Sequence, residues 1–146
     1  MERALLFAAS LVLVSLFALI KGGAPERSAA TLYLSAYGLS AMATQWTGSD
    51  YFGVQWVILG VDFILFLALV VLACMANRYW GLWAASFQLI AVIAHLAVVL
   101  FPQIGAQAYA IALLVWSYAM LPLLAAATYR HQRRLREFGD DPAWVA

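Results

Sequence analysis

Apolar residues fall in five runs, at positions 4–20, 28–46, 54–75, 82–101 and 108–127, each bounded by Gly, Pro or charged residues. The runs are 17, 19, 22, 20 and 20 residues long. A helix needs about 20 apolar residues to cross a bilayer, so the pattern predicts a compact all-α bundle of transmembrane helices. The breaks after the third and fourth runs are short, Asn77-Arg78-Tyr79-Trp80-Gly81 and Pro102-Gln103-Ile104-Gly105, and short connections make antiparallel neighbours. Pro122 marks a kink near the inner end of the last run.

The first run is barely basic at its start, because Glu2 offsets Arg3, and it exceeds the core of a secretory leader. It reads as a retained helix. The second run is the least apolar, built of Ala and Leu interrupted by Tyr33, Ser35, Tyr37, Gly38, Ser40 and Thr44. Small residues let helix backbones approach closely in a membrane. Ala36, Ser40 and Thr44, with Gly60 on the third helix, are therefore the expected packing positions. Without this second span the count falls to four.

Charge decides between five and four, because cytoplasmic loops collect Lys and Arg. Five spans with the N-terminus outside place Lys21, Arg27, Arg78, Arg130, Arg133, Arg134 and Arg136 inside and only Arg3 outside, a split of seven to one. Four spans give six to two. The aromatic residues fit five spans: Trp46, Tyr51, Phe52 and Trp56 mark the outer interface, and Tyr79, Trp80, Trp83 and Tyr129 the inner one. Residues 1–128 then form the bundle. Residues 129–146 form a basic cytoplasmic extension whose Arg130, Arg133, Arg134 and Arg136 face anionic headgroups and whose tail ends near Trp144 on a docking surface. It is too short for nucleic-acid readout.

Composition agrees with the pattern. The chain is 66% hydrophobic and 10% charged, with a mean hydropathy of +0.90, against about 25% charged in soluble domains. Disorder and a second soluble domain are excluded, and a single cysteine, Cys74, excludes a disulfide framework. Few Lys, many Arg and Ala, and short loops fit a multi-pass protein of a bacterial inner membrane.

Two ionisable side chains lie inside runs, Asp62 and His95. A charge near the bilayer centre costs about 2.5–3.5 kcal/mol on insertion scales, so each needs a partner. At 1.5 Å per residue, Asp62 is about 13 Å and His95 about 9 Å from the outer boundary, and their helices are sequence neighbours. An Asp62–His95 contact is expected. Gln55 and Gln88 stand one heptad before them on the same faces. Tyr37, Ser117 and Ser10 reach a similar depth, with Tyr118 beside them, so an outer-half polar layer can enclose water or a small ligand. The plainer account is that Asp62 and His95 satisfy one another and fix helix register.

Catalytic chemistry finds no pattern. Ser10, Ser86 and Ser117 lack a Gly-x-Ser-x-Gly or Ser-x-x-Lys setting, and Walker, dinucleotide and His-Glu-x-x-His motifs are absent. Asp62 and His95 alone are too few protein ligands for a metal. One membrane-embedded histidine cannot supply both axial ligands of a haem, since His131 lies at the opposite end. No cofactor is expected. The first functional reading is a non-catalytic subunit that packs against itself or other membrane subunits. The alternatives are a small transporter, channel or proton-linked sensor working through Asp62 and His95, and a lipid- or cofactor-binding membrane enzyme.

Overall fold

The computed structural model describes residues 2–47, 54–101, 103 and 106–144, without the side chains of 2, 3, 47, 54, 55, 106–108 and 110. It is all-helical, with α1 (Glu2–Lys21), α2 (Ala24–Thr47), α3 (Val54–Met75), α4 (Trp80–Leu100) and α5 (Ala106–Phe138). The loop expected around Asp50, Tyr51 and Phe52, the residues Pro102, Ile104 and Gly105, and the side chain of Gln55 lie outside the described residues.

Each helix packs on its sequence neighbours, α5 closes back onto α1, and α2 also touches α5. The result is a ring of five helices. Each turns one stripe inward at helical spacing: Leu11, Ser15 and Ala18 on α1, Ala29, Ala30 and Tyr33 on α2, Leu65, Leu69 and Leu72 on α3. The α5 stripe runs through Met120, Leu121, Leu124, Ala127, Thr128 and His131. The opposite faces expose large apolar side chains, such as Leu5, Leu13, Ile64, Ile93 and Leu100.

Four helices, α1, α3, α4 and α5, are long and apolar enough to cross a membrane. α2 is not among them, because its Ala, Ser, Gly and Tyr content lowers its hydropathy, yet it runs the full length of the ring. It starts at Ala24, four residues before the apolar run, so that Pro25 and Glu26 fall in its first turn and Ser28 is not its cap. Pro25 supplies a preset φ in its first turn, and Glu26 places a carboxylate at its positive end.

Small residues do set the packing, but not all at the expected positions. Ala36 packs against the core and Ser40 lines a cavity described below. Thr44 is exposed and turns its hydroxyl back to the Ala41 carbonyl at 2.8 Å. A Cβ at Gly60 would meet nothing within 4 Å. Neither mediates a close approach between helices of this chain. That role falls to fully buried Ala18, Ala29, Ala30 and Ala84, and to Gly81, where a Cβ would stand 3.1 Å from Ala73 Cα. Pro122 lies within a continuous α5.

Candidate functional site at the bundle centre

α4 carries the site's geometry. Its buried stripe is Gly81, Ala84, Ala85, Gln88, Ala91, Val92 and His95, so Gln88 and His95 face the neighbouring helices. Both reach Asp62 on α3. Gln88 Nε2 donates to Asp62 Oδ1 at 2.9 Å and to the Asp62 carbonyl at 3.3 Å. His95 Nε2 lies 2.8 Å from Asp62 Oδ2. Each carboxylate oxygen thus has its own partner, which offsets the penalty of removing it from water.

The other face of the imidazole meets α5. His95 Nδ1 lies 2.5 Å from Tyr109 Oη, with the two rings edge to face at 5.3 Å. His95 is 2% exposed, whereas the Asp62 side chain is 20% exposed. Asp62, His95 and Tyr109 therefore form a hydrogen-bonded chain whose carboxylate end is open and whose imidazole is sealed. With Nε2–H donating to Asp62, Nδ1 accepts from the Tyr109 hydroxyl. When the imidazole is protonated, Nδ1–H donates to the Tyr109 oxygen. The phenol fits both states by rotating its hydrogen.

The open end faces a cavity of about 220 Å³ to which all five helices contribute. Phe7 and Leu11 come from α1, Tyr33, Tyr37 and Ser40 from α2, Asp62 and Leu65 from α3, Gln88 from α4 and Ser117 and Met120 from α5. The Tyr33 hydroxyl is buried without a hydrogen-bond partner among the described residues. Ser117 turns its hydroxyl to the Leu113 carbonyl at 2.9 Å. Phe7 packs against Tyr37 and Tyr118, with ring centroids 5.9 and 5.1 Å apart.

Of the expected polar layer, the structure brings Asp62, His95 and Gln88 into direct contact and places Tyr37 and Ser117 on the same cavity wall. Ser10 is not among the lining residues. Tyr109 escaped sequence reasoning, although a signal existed. His95 and Tyr109 are each seven residues from Pro102, so antiparallel helices joined there place them at one depth.

A second polar cluster closes the basic end of the ring. Glu26, 0% exposed, accepts from Trp80 Nε1 at 3.0 Å. Arg78 Nε stands 3.2 Å from the same oxygen. Arg78 Nη1 and His131 Nδ1 both donate to Asp141 Oδ2, at 2.7 and 2.5 Å, and Arg134 Nε donates to Asp141 Oδ1 at 2.8 Å. Burial raises the Asp141 carboxyl, but the hydrogen bonds from Arg134, His131 and Arg78 outweigh it and hold the group down at about 2.

Asp141 lies beyond Gly139, whose φ of 76° ends α5 in the left-handed region that favours glycine. The tail then crosses the end of the ring. Ala76 and Trp144 form an antiparallel bridge, and Asn77 N–H donates to the Ala143 carbonyl at 3.2 Å. Gln132 Nε2 also donates to the Lys21 carbonyl.

These contacts refine the reading of the basic extension. Arg130 and Arg136 are exposed, Arg133 pairs with Glu137 at 2.7 Å, and Arg134 is turned inward onto Asp141. Trp80 likewise points into the cluster, while Tyr79, Trp83 and Tyr129 are exposed.

The fold and site define a five-helix ring with a carboxylate–imidazole–phenol chain beside a central cavity. No protein-family model, curated protein or solved structure matches the chain. Among the described residues no group of three or more His, Cys, Asp or Glu side chains is placed to hold a metal.

Proposed function

We propose that the chain is a multi-pass inner-membrane protein, with five spans and the N-terminus outside, that binds a small solute in its central cavity and couples binding to protonation of His95. It belongs with small transporters or proton-linked sensors. The observation that carries this reading is the chain Asp62–His95–Tyr109, with its carboxylate at the cavity and its imidazole sealed behind. A pair that only fixed register would also need a partner for the buried far nitrogen, but it would need no cavity at the carboxylate.

Two features support the membrane setting. The outward faces are apolar along helices long enough to span, and the basic residues gather at one end of the ring. α2 spans in this account despite its low hydropathy, because Ala29, Ala30 and Tyr33 are buried against other helices and Ala36, Tyr37 and Ser40 line the cavity, while Ser35 and Thr44 lie on its exposed face. An externally applied protease that spares an N-terminal tag in sealed cells or vesicles, and cleaves a C-terminal one, would contradict the orientation.

Protonation of His95 changes the charge of the unit beside the cavity, so intrinsic fluorescence or solute flux in liposomes is expected to change with pH in the wild type. His95→Gln, which keeps hydrogen-bonding capacity, is expected to abolish that change while the purified protein stays folded. A variant with the wild-type pH response overturns the proposal. The packing-subunit reading is tested by particle mass in detergent: it requires a homo-oligomer or a stable partner, whereas the cavity lies within one chain.

A further inference from the structure

We infer that the cavity takes a small organic cation, a methyl-substituted ammonium or a related amine, in exchange for the proton on His95. The inference rests on the proposed proton-linked function and names the class of ligand. Among the described residues Asp62 is the acidic residue of the lining, and no Lys or Arg lines it. With imidazolium behind it, the Asp62–His95 pair is neutral. With neutral imidazole, the pair carries one uncompensated negative charge in a low-dielectric setting, where such a charge is costly. A cation in the cavity restores neutrality.

The walls select the kind of cation. A metal ion such as calcium needs about 6–8 oxygen ligands. Here Asp62 already accepts from Gln88 and His95, Ser117 is bonded to its own helix, and most remaining lining is apolar or aromatic. Aromatic faces suit a weakly hydrated ammonium. Phe7, Tyr33 and Tyr37 put aromatic rings on the wall, and the Tyr33 hydroxyl, which has no hydrogen-bond partner among the described residues, offers an acceptor. The volume of about 220 Å³ is several times the ~30 Å³ share of a water molecule, room for a compact ligand.

The exchange balances. One cation enters, the N–H bond of protonated His95 breaks, and one proton leaves, with net charge unchanged and no redox step. Tyr109, whose oxygen accepts from the protonated Nδ1, stays neutral by giving up its own hydroxyl proton as it takes the one from Nδ1. The titratable groups facing the unit are Tyr33 and Tyr37 from α2, Asp62 from α3 and Tyr109 from α5, while the α1 lining is apolar.

The test uses the full chain in nanodiscs in weakly buffered medium containing a pH indicator, titrated with tetramethylammonium chloride or sodium chloride. Tetramethylammonium should saturate and release about one proton per chain, and its apparent affinity should rise about tenfold per pH unit where His95 is protonated, as a one-proton exchange requires. Sodium should release none. Asp62→Asn should lose binding, and Asp62→Glu should retain it, which separates loss of charge from loss of fold. His95→Gln should bind the cation without proton release or pH dependence. If tetramethylammonium has no saturable effect while the His95-dependent pH response persists, the ligand class is wrong and the proposed function stands. Equal proton release by sodium also overturns the ligand class. Absence of both cation binding and pH response overturns both.

Discussion

Asp141→Asn is the substitution whose effect the structure defines most closely. The side chain keeps its shape but loses the charge that faces Arg78, His131 and Arg134 at 2.7, 2.5 and 2.8 Å. The native carboxyl is lowered from 3.8 to about 2. At 1.36 kcal/mol per pKa unit, this corresponds to about 2 kcal/mol in favour of the docked tail, or about a 30-fold shift in its docking equilibrium. The assay is hydrogen exchange at the Asn77 amide, whose proton is held by the Ala143 carbonyl at 3.2 Å. Exchange through local opening follows the open population, so the Asn77 amide should exchange about 30-fold faster in the variant. The sign with pH is fixed: a lowered carboxyl stabilises above its unpaired value of 3.8, and this stability is lost as pH falls through about 2. Asn77 exchange, corrected for intrinsic rate, should therefore accelerate in wild type as pH drops below 4 and stay flat in Asp141→Asn. Equal protection in the two proteins at neutral pH would refute the reasoning.

Glu26→Ala should destabilise the fold by about 1–3 kcal/mol, the usual effect of leaving a buried donor unsatisfied, because Trp80 Nε1 loses its acceptor and Arg78 is left with Asp141 as its carboxylate partner; unfolding in graded detergent reads this. Gly81→Val should cost about 1–3 kcal/mol by overpacking, since the first added carbon stands 3.1 Å from Ala73 Cα, whereas Gly60→Val, with open space at that position, should be near neutral in the same assay. Tyr109→Phe should change stability by only about 0.6 kcal/mol, the average for a hydrogen bond inside a membrane protein, yet alter the pH dependence of the fluorescence signal; unchanged pH dependence would remove the phenol from the unit.

Much of this arrangement is legible in the chain. The apolar runs mark the helices, and the matched depths of Asp62 and His95 follow from helical rise and short connections. The heptad spacing of Gln88 and His95 puts both on the stripe that α4 buries. Other features depend on the ring and escape local reading. Tyr109 resembles an interface aromatic until antiparallel depth across Pro102 is considered. Gly60 and Thr44 look like packing residues because small residues often are, but only the rotation of each helix decides which small residue meets a neighbour. The basic extension reads as a headgroup-facing flank, yet Gly139 reverses the chain and brings Asp141 back onto Arg134 and Arg78. Glu26 and Arg78 are far apart in sequence and carry no motif; the crossing of α2 with the α3–α4 connection pairs them.

The central claim is that His95 changes protonation inside the bundle and that Asp62 and Tyr109 respond. The chain has two histidines, so in a His131→Gln background the imidazole vibrations report His95 alone. pH-induced infrared difference spectroscopy of that protein, with ring-labelled histidine, should show one imidazole protonation accompanied by a shift of a tyrosine band, and the tyrosine shift should vanish with Tyr109→Phe. An imidazole that stays in one protonation state across the whole pH range in which the protein remains folded would contradict the account.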